Sequence, residues 1–258
     1  MISITLPSLH PPALERALDN IRATVHDNVE IIVVSPYEPA LKFDRRVRVV
    51  WIKEGDSEGA NAAHEAALRK TTGDFVLAWV DDHEFVPGWD EIALDNFLAR
   101  EFAFADRGGP PSPFCLGLRQ AFTLRIGTVF GNYYPYFPLM RRRDAARGLW
   151  LTGDYRVGFA DCDLGMRVWS AGGRCEWSRE PLVRVLADDA RKMPVLSGGA
   201  DWIGEAHTTA ADMALFLSRW ANRYGAGYDV TSLRGFNVDV PLDMLPAGAR
   251  TIWKGKPQ

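Results

Sequence analysis

Thr72-Gly73-Asp74-Phe75-Val76-Leu77-Ala78-Trp79-Val80-Asp81-Asp82-His83-Glu84 is the stretch whose reading decides the fold. Phe75–Val80 is a short apolar run, suited to a strand buried on both faces. It runs straight into two carboxylates flanked by a histidine and a glutamate. In open α/β sheets ligands bind outside the carboxyl ends of strands, so an apolar strand ending in acids marks a candidate site. Two carboxylates there offer the hard oxygen ligands that Mg²⁺ or Mn²⁺ prefers. A polar turn after a strand is an equal reading of the pair taken alone.

Upstream, strand and helix patterns alternate. Ile2–Leu6 is a short apolar run ended by Pro7, and Leu14, Leu18 and Ile21 follow at helical spacing. Val29–Val34 and Val47–Ile52 read as further buried strands. Residues 57–70 predict an alanine-rich helix with Asp56 and Ser57 as N-caps, closed near Gly73. Strands separated by helices imply right-handed crossovers and a mostly parallel sheet.

Downstream the pattern is less regular. Residues 105–113 read as a loop, and Phe114–Leu118 with Phe122–Ile126 as strands, paired as a hairpin. Residues 131–138 hold Tyr133, Tyr134, Tyr136 and Phe137, which can stack on sugar faces or pack a loop onto the core. Helices are expected at 141–147 and 163–171. Thr209 and Asp212 suggest a capping-box start for an amphipathic helix carrying Met213, Phe216, Leu217, Trp220 and Tyr224, with Trp220 read as core. No repeat and no linker between separate domains is visible, so a single α/β domain is expected.

Composition narrows the function classes. The 258 residues are 47% hydrophobic and 24% charged, with a formal net charge of −3, ordinary for a globular protein. No basic block marks a nucleic-acid partner, and no apolar stretch is long enough to span a bilayer. No charged and apolar leader precedes Ile2. Cys115, Cys162 and Cys175 lack metal-ligand spacing and suit reduced thiols; a cytoplasmic location is expected. Pro7-Ser8-Leu9-His10-Pro11-Pro12 after the first strand has no glycine for a triphosphate loop, which argues against a nucleotidylyltransferase. No G-x-G-x-x-G follows a strand.

In order, Ile4-Thr5-Leu6-Pro7-Ser8, Glu30-Ile31-Ile32-Val33-Val34, Glu58-Gly59-Ala60-Asn61-Ala62-Ala63, Thr72-Gly73-Asp74-Phe75-Val76-Leu77, Asp81-Asp82 and Pro87-Gly88-Trp89 resemble the N-terminal half of family 2 glycosyltransferases. The resemblance implies a GT-A fold, a nucleotide-diphospho-sugar donor, a hydroxyl or glycan acceptor, and Mn²⁺ or Mg²⁺. Counting ungapped from Gly73 to Pro87 sets Val80 at the family's first metal-motif aspartate and Asp82 at its second. Asp82 is therefore the expected metal ligand, with Asp81 in support and His83 facing the metal or the acceptor. Pro7 and Ser8 match the base-contacting edge. Where the family has an aspartate after its second strand, this chain has Ser35-Pro36-Tyr37-Glu38, so Ser35, Tyr37 and Glu38 become candidate donor contacts, with Asn61 beside them.

Gly158-Phe159-Ala160-Asp161-Cys162-Asp163-Leu164-Gly165-Met166-Arg167 resembles the family's Glu-Asp-x-Asp-Leu-x-x-Arg stretch, with Ala160 in place of the glutamate. The resemblance makes Asp161 the catalytic base of an inverting transfer, whereas Asp163 reads as a first-turn acid stabilising a helix. Arg141-Arg142-Arg143 occupy the place of a basic residue before the acceptor helix. His207 is a candidate further metal ligand, with the neighbourhood of Leu186-Ala187-Asp188 as the alternative alignment. The resemblance divides the chain into a nucleotide-sugar half (1–100), an acceptor-side half (101–207) and a C-terminal helix and tail (208–258). A degenerate module of the same fold, binding nucleotide or glycan without turnover, is the alternative.

Overall fold

The first strand, β1 (Ile2–Pro7), becomes the middle of the sheet. β2 (Val29–Ser35) lies parallel on one side, with β3 (Val47–Lys53) beyond it; β4 (Phe75–Ala78) lies parallel on the other. Residues 1–40, 46–55, 58–105, 112–120, 125–156, 158–185, 206–225 and 237–241 are described by this computed structural model; of these, the side chains of 125–127, 185, 206–209 and 237–241 are left out.

The main sheet has eight strands in the order β3-β2-β1-β4-β9-β6-β10-β5. Here β5 is His83–Phe85, β6 Phe114–Gln120, β9 Pro138–Arg141 and β10 Arg174–Val185. β9 runs antiparallel between β4 and β6, and β5 pairs antiparallel with β10; every other neighbouring pair is parallel. A second sheet of three strands joins β7 (Arg125–Val129) to β8 (Asn132–Tyr133) and β11 (Asn237–Pro241). This is the GT-A arrangement, a mostly parallel sheet flanked by helices within one domain.

β2 shows why the sheet needs helices on both faces, since side chains alternate across a strand. Ile31 and Val33 join Leu14, Leu18 and Ile21 of α1 (Pro11–Thr24) in one apolar cluster. Ile32 and Val34 face the other way, against Ala63 and Ala67 of α2 (Ala60–Leu68). The Thr-Gly-Asp turn before β4 is built by packing. A Cβ on Gly73 would stand 2.7 Å from the Met1 carbonyl oxygen and from Ser3 Oγ. The buried Glu30 carboxylate accepts from Ser3 Oγ, Gly73 N and both the N–H and hydroxyl of Thr72. Burial alone would raise its pKa; these donors outweigh that and hold it below the usual range.

Several sequence expectations are corrected. α2 begins at Ala60 with Gly59 at its N-cap and no side-chain cap, while Asp56 and Ser57 lie outside the described residues. β6 forms no hairpin with the next strand: β7 belongs to the other sheet, and β6 pairs with β9 and β10. The sequence reading passes over α3 (Trp89–Ala105), where a Phe-Ala-Phe-Ala close blurs the amphipathic period, and over β10. The short α4 (Arg142–Ala145) and α5 (Ala160–Ser170) are shorter than, or shifted from, their expected spans. α6 (Ala206–Tyr224) begins before Thr209, so Asp212 stands inside the helix and is no cap for it. Among the described residues no helix is long and apolar enough to cross a membrane.

Candidate active site

β4 keeps its hold on β1 as far as Trp79, whose N–H donates to the Thr5 carbonyl (2.9 Å). The chain then leaves the sheet, turns through Asp81 and Asp82, and re-enters regular structure at β5. The acid pair therefore stands where the sequence places it, at the carboxyl lip of the central strands. Aromatic rings support the turn: Trp79, Phe85 and Trp89 are fully or almost fully buried and stacked, with centroids 3.5 and 3.8 Å apart.

Two residues of α1 pin this turn. Arg16 Nη2 donates to the Asp81 carbonyl (3.2 Å), and Asn20 captures both backbone groups of Phe85, donating to its oxygen (3.3 Å) and accepting from its N–H (2.8 Å). Asn20 thus acts as a strand partner on the side of β5 away from β10. Sequence reading missed both residues, because nothing local to α1 shows what lies across from it.

The two acids differ in setting. Ser8 Oγ donates to Asp81 Oδ2 (2.5 Å), joining the lip of β1 to the turn. Burial, first, and the adjacent Asp82 push the Asp81 carboxyl above its ordinary range, against the pull of Ser8 and His10. Asp82 Oδ1 lies 2.6 Å from His83 Nδ1, and His83 Nε2 lies 3.3 Å from Gln120 Nε2. Since the Gln120 amide nitrogen can only donate, the imidazole accepts at Nε2 and donates from Nδ1 to Asp82. The ring is also held edge-on by Phe137 (centroids 4.9 Å). His83 therefore orients Asp82. Among the described residues Asp82 Oδ2 accepts no hydrogen bond.

These donors fit a Mg²⁺-like ion. No group of three or more His, Cys, Asp and Glu side chains suited to a metal occurs among the described residues. Mg²⁺ sites of this kind use one or two carboxylates and complete their shell from phosphate oxygens and water. Asp82 Oδ2 is the atom this structure offers. The His207 side chain and the 186–188 stretch lie outside the described residues.

Of the remaining sequence candidates, Ser8 touches Asp81 through its hydroxyl and also ties β1 to β2. Its N–H donates to the Val34 carbonyl, beside Pro7. Ser35 Oγ accepts from Tyr37 N–H (3.1 Å) and shapes the turn after β2, on which Glu38 is exposed. Asn61 is buried and donates to the Tyr155 carbonyl (2.9 Å), so it ties α2 to the segment before α5.

Asp161 reaches the same side of the sheet by topology. β10 is parallel to β6 and begins at the sheet's amino side, so α5, which precedes it, starts at the carboxyl side. Asp161 stands in the first turn of α5, and its Oδ1 accepts from Cys162 N–H (2.8 Å). Phe159, just before the helix, has φ 67°, a conformation that non-glycine residues adopt at a cost. Asp163 is wholly buried and does far more than stabilise a helix start. It accepts from Tyr155 Oη (3.0 Å), Trp220 Nε1 (2.8 Å) and Arg167 Nε (2.6 Å). Trp220, expected to be plain core, brings a hydrogen bond to it.

The aromatic loop resolves into two parts. Tyr134 is fully buried under α5: its Cβ would be 2.8 Å from a Cβ on Gly165, and its hydroxyl lies 2.5 Å from that of Tyr136. Burial, with Cys162 and Asp161 nearby, raises the Tyr134 phenol far above its ordinary value. Phe137, at φ 45°, is the member that faces His83. The arginine run is displaced from the site. Arg141 pairs with Phe75 at the amino end of β4 and holds Glu101 through two bonds (3.0 and 2.6 Å), and Arg142 donates to the Gly73 carbonyl. Both stand at the opposite end of β4 from Asp82, where they serve packing.

No protein-family model and no curated protein matches the chain. Solved structures do. The S. aureus TarS fragment 1–349 in complex with UDP aligns with TM-score 0.53 at 14% identity, over 88% of this chain and 73% of that one. The mannosyltransferase PcManGT from Pyrobaculum calidifontis, in complex with GDP-Man and Mn²⁺, aligns with TM-score 0.52 at 16% identity, over 85% and 75%. At such identity the likeness establishes the fold these proteins share with this chain.

Proposed function

We propose that this protein is an inverting glycosyltransferase of the family 2 kind, taking a sugar from a nucleotide-diphospho-sugar to an acceptor hydroxyl. The observation that carries it is Asp82 at the carboxyl lip of β4, oriented by His83 and with Oδ2 facing no protein donor among the described residues. Likeness in fold to structures holding UDP and GDP-Man with Mn²⁺ supports the reading.

Residues 1–100 bind the nucleotide, 101–207 shape the acceptor side and 208–258 close it. Pro7, Ser8, Ser35, Glu38 and Asn61 line the donor edge, and Asp81 braces the turn through Ser8. Asp82, with His207 a candidate companion, holds Mn²⁺ or Mg²⁺. A cation bound there neutralises charge that builds on the departing diphosphate. Asp161 takes the proton from the acceptor hydroxyl as its oxygen bonds to the anomeric carbon. The bond from that carbon to the β-phosphate oxygen breaks, and its electron pair leaves with the nucleoside diphosphate. Attack opposite the leaving group inverts the anomeric centre.

The test is release of nucleoside diphosphate from UDP-GlcNAc and GDP-mannose with Mn²⁺, compared with chelator and with Asp82→Ala. Metal-dependent release abolished by the substitution supports the reading. Tight nucleotide binding without release for either donor would make the protein a binding module and overturn it.

A further inference from the structure

The segment that delivers Asp161 is held from outside itself. Between Trp150 and α5 the described residues form no strand or helix, and beyond the local bonds of Asp154 and Tyr155 N–H to Thr152 their backbone N–H groups need partners from elsewhere. Asp212, in α6 and 4% exposed, supplies two: Oδ1 accepts from Arg156 N–H (3.1 Å) and Oδ2 from Gly158 N–H (2.9 Å). Hydrogen bonds to an ionised carboxylate are about twice as strong as neutral ones, and these two fall immediately before the left-handed Phe159.

The same helix grips the segment on both sides of Asp161. Arg219 Nη2 bonds Asp154 Oδ2 (2.5 Å), and its guanidinium lies over the Tyr155 ring (5.3 Å). Trp220 Nε1 reaches Asp163 past the helix start, and Ser170 and Tyr224 hydroxyls meet at 2.9 Å. From below, α2 completes the frame: Asn61 holds the Tyr155 carbonyl, and Gly59 lets the Arg156 carbonyl approach to 2.8 Å from where a Cβ would stand.

We infer that α6 is a clasp that sets the position of Asp161, with Asp212 as its positioning residue. This rests on the reading of Asp161 as the base. Asp212 touches neither donor nor acceptor; it fixes the backbone that aims the carboxylate, and misplacing a reacting group by about 1 Å can cost on the order of 100-fold in rate.

The experiment measures kcat and donor KM for nucleoside diphosphate release with Mn²⁺ and whichever of UDP-GlcNAc and GDP-mannose the wild-type protein turns over. The variants are Asp161→Asn, Asp212→Ala, Asp212→Asn and the Asp161→Asn/Asp212→Ala double. Asp212→Ala is expected to lower kcat roughly 10- to 100-fold with donor KM within about twofold. Asp212→Asn keeps one acceptor oxygen and is expected to fall between it and wild type. In the Asp161→Asn background, Asp212→Ala is expected to add nothing, since residues acting as a unit are non-additive; a merely structural loss would still add. If Asp161→Asn silences release but both Asp212 variants keep wild-type kcat, the clasp is wrong and the base stands. If Asp161→Asn retains full turnover, or the wild type turns over neither donor, the underlying reading fails and the clasp with it. Should Asp212→Ala not fold, the comparison of Asp212→Asn with wild type decides alone.

Discussion

Asp82 and Asp161 stand on the same side of one sheet, yet the protein holds them by different means. Asp82 sits on a turn of few residues between β4 and β5, backed by a stacked aromatic column and braced by Ser8, Arg16 and Asn20 from the neighbouring β1–α1 unit. Asp161 follows a stretch whose described residues form no strand or helix and whose shape comes from α2 and from α6, with 56 positions separating Arg156 from Asp212. A position built on strands is rigid by construction, whereas one built on a loop needs side chains from elsewhere to define it. The turn that carries Asp82 should therefore tolerate damage around Asp161.

The largest expected effect tests that independence directly. Asp82→Ala should abolish Mn²⁺-dependent binding of UDP or GDP and cut nucleoside diphosphate release by about 1,000-fold or more. Asp161→Asn should cut release by about 100- to 10,000-fold yet leave the nucleotide titration unchanged. Isothermal titration calorimetry on both variants separates them. If Asp161→Asn weakened nucleotide binding as much as Asp82→Ala, the two halves would not divide the work as described.

Next in size is Asp163, where the acceptor side concentrates its buried polar bonds. Removing its carboxylate as Asp163→Ala leaves Arg167 Nε, Trp220 Nε1 and the Tyr155 hydroxyl facing an apolar methyl, while Arg167 keeps its bonds to the Gly148 and Trp150 carbonyls. Breaking a buried pair from one side costs about 3–5 kcal/mol, measurable as a lowered urea midpoint. Gly165→Ala should cost less, about 1–3 kcal/mol, because the new methyl would meet Tyr134 Cβ at 2.8 Å and one of the two elements must shift. A normal urea midpoint for Gly165→Ala would mean that the aromatic loop is free to move off α5.

The same contrast explains what could be read from the amino acids alone. β1, β2, β3 and β4 are continuous apolar runs whose length and branching specify buried strands, and the acid pair follows one of them without a break. That made the parallel sheet and the place of the acid pair at its carboxyl edge legible. His83 was legible as a candidate, but its partner Gln120 lies 37 residues on, in β6, and nothing local announced that the imidazole orients Asp82. The motif around Asp161 could be seen, while its support could not. Asp212 reads locally as a helix cap, Trp220 as core and Asp163 as a first-turn acid. Asp212 is instead, and Trp220 and Asp163 are in addition, engaged across elements, and hydrogen bonds between distant elements leave no periodic trace. The arginine run, placed by the resemblance before an acceptor helix, has its first two members at the amino end of β4.

The donor side has one weak point of its own, and it sharpens the comparison. His64 of α2 is 3% exposed, with Nδ1 2.7 Å from Thr5 Oγ1 and its carbonyl accepting from Trp150 Nε1. Burial pushes its pKa down from 6.5 to about 3, so the folded protein keeps the ring neutral where the unfolded chain would protonate it. The unfolded state then binds the extra proton, and stability present above pH 6.5 is lost as the pH falls towards 3, at about 1.4 kcal/mol per pH unit. Glu30 acts in the same direction only below its ordinary value of 4.5, because its folded pKa is lowered. Asp81 and Glu54, whose carboxyls burial pushes up, act in the opposite sense as the pH falls, so His64 supplies the acid-sensitive share on this side of the molecule. His64→Gln, which keeps an amide near Thr5 but cannot titrate, should flatten the fall in urea midpoint between pH 6.5 and 4.5. An unchanged slope in the variant would show that the acid sensitivity arises elsewhere. A flattened slope accompanied by unchanged hydrogen exchange at Arg156 and Gly158 would show that α2 can lose its histidine without disturbing the frame around Asp161.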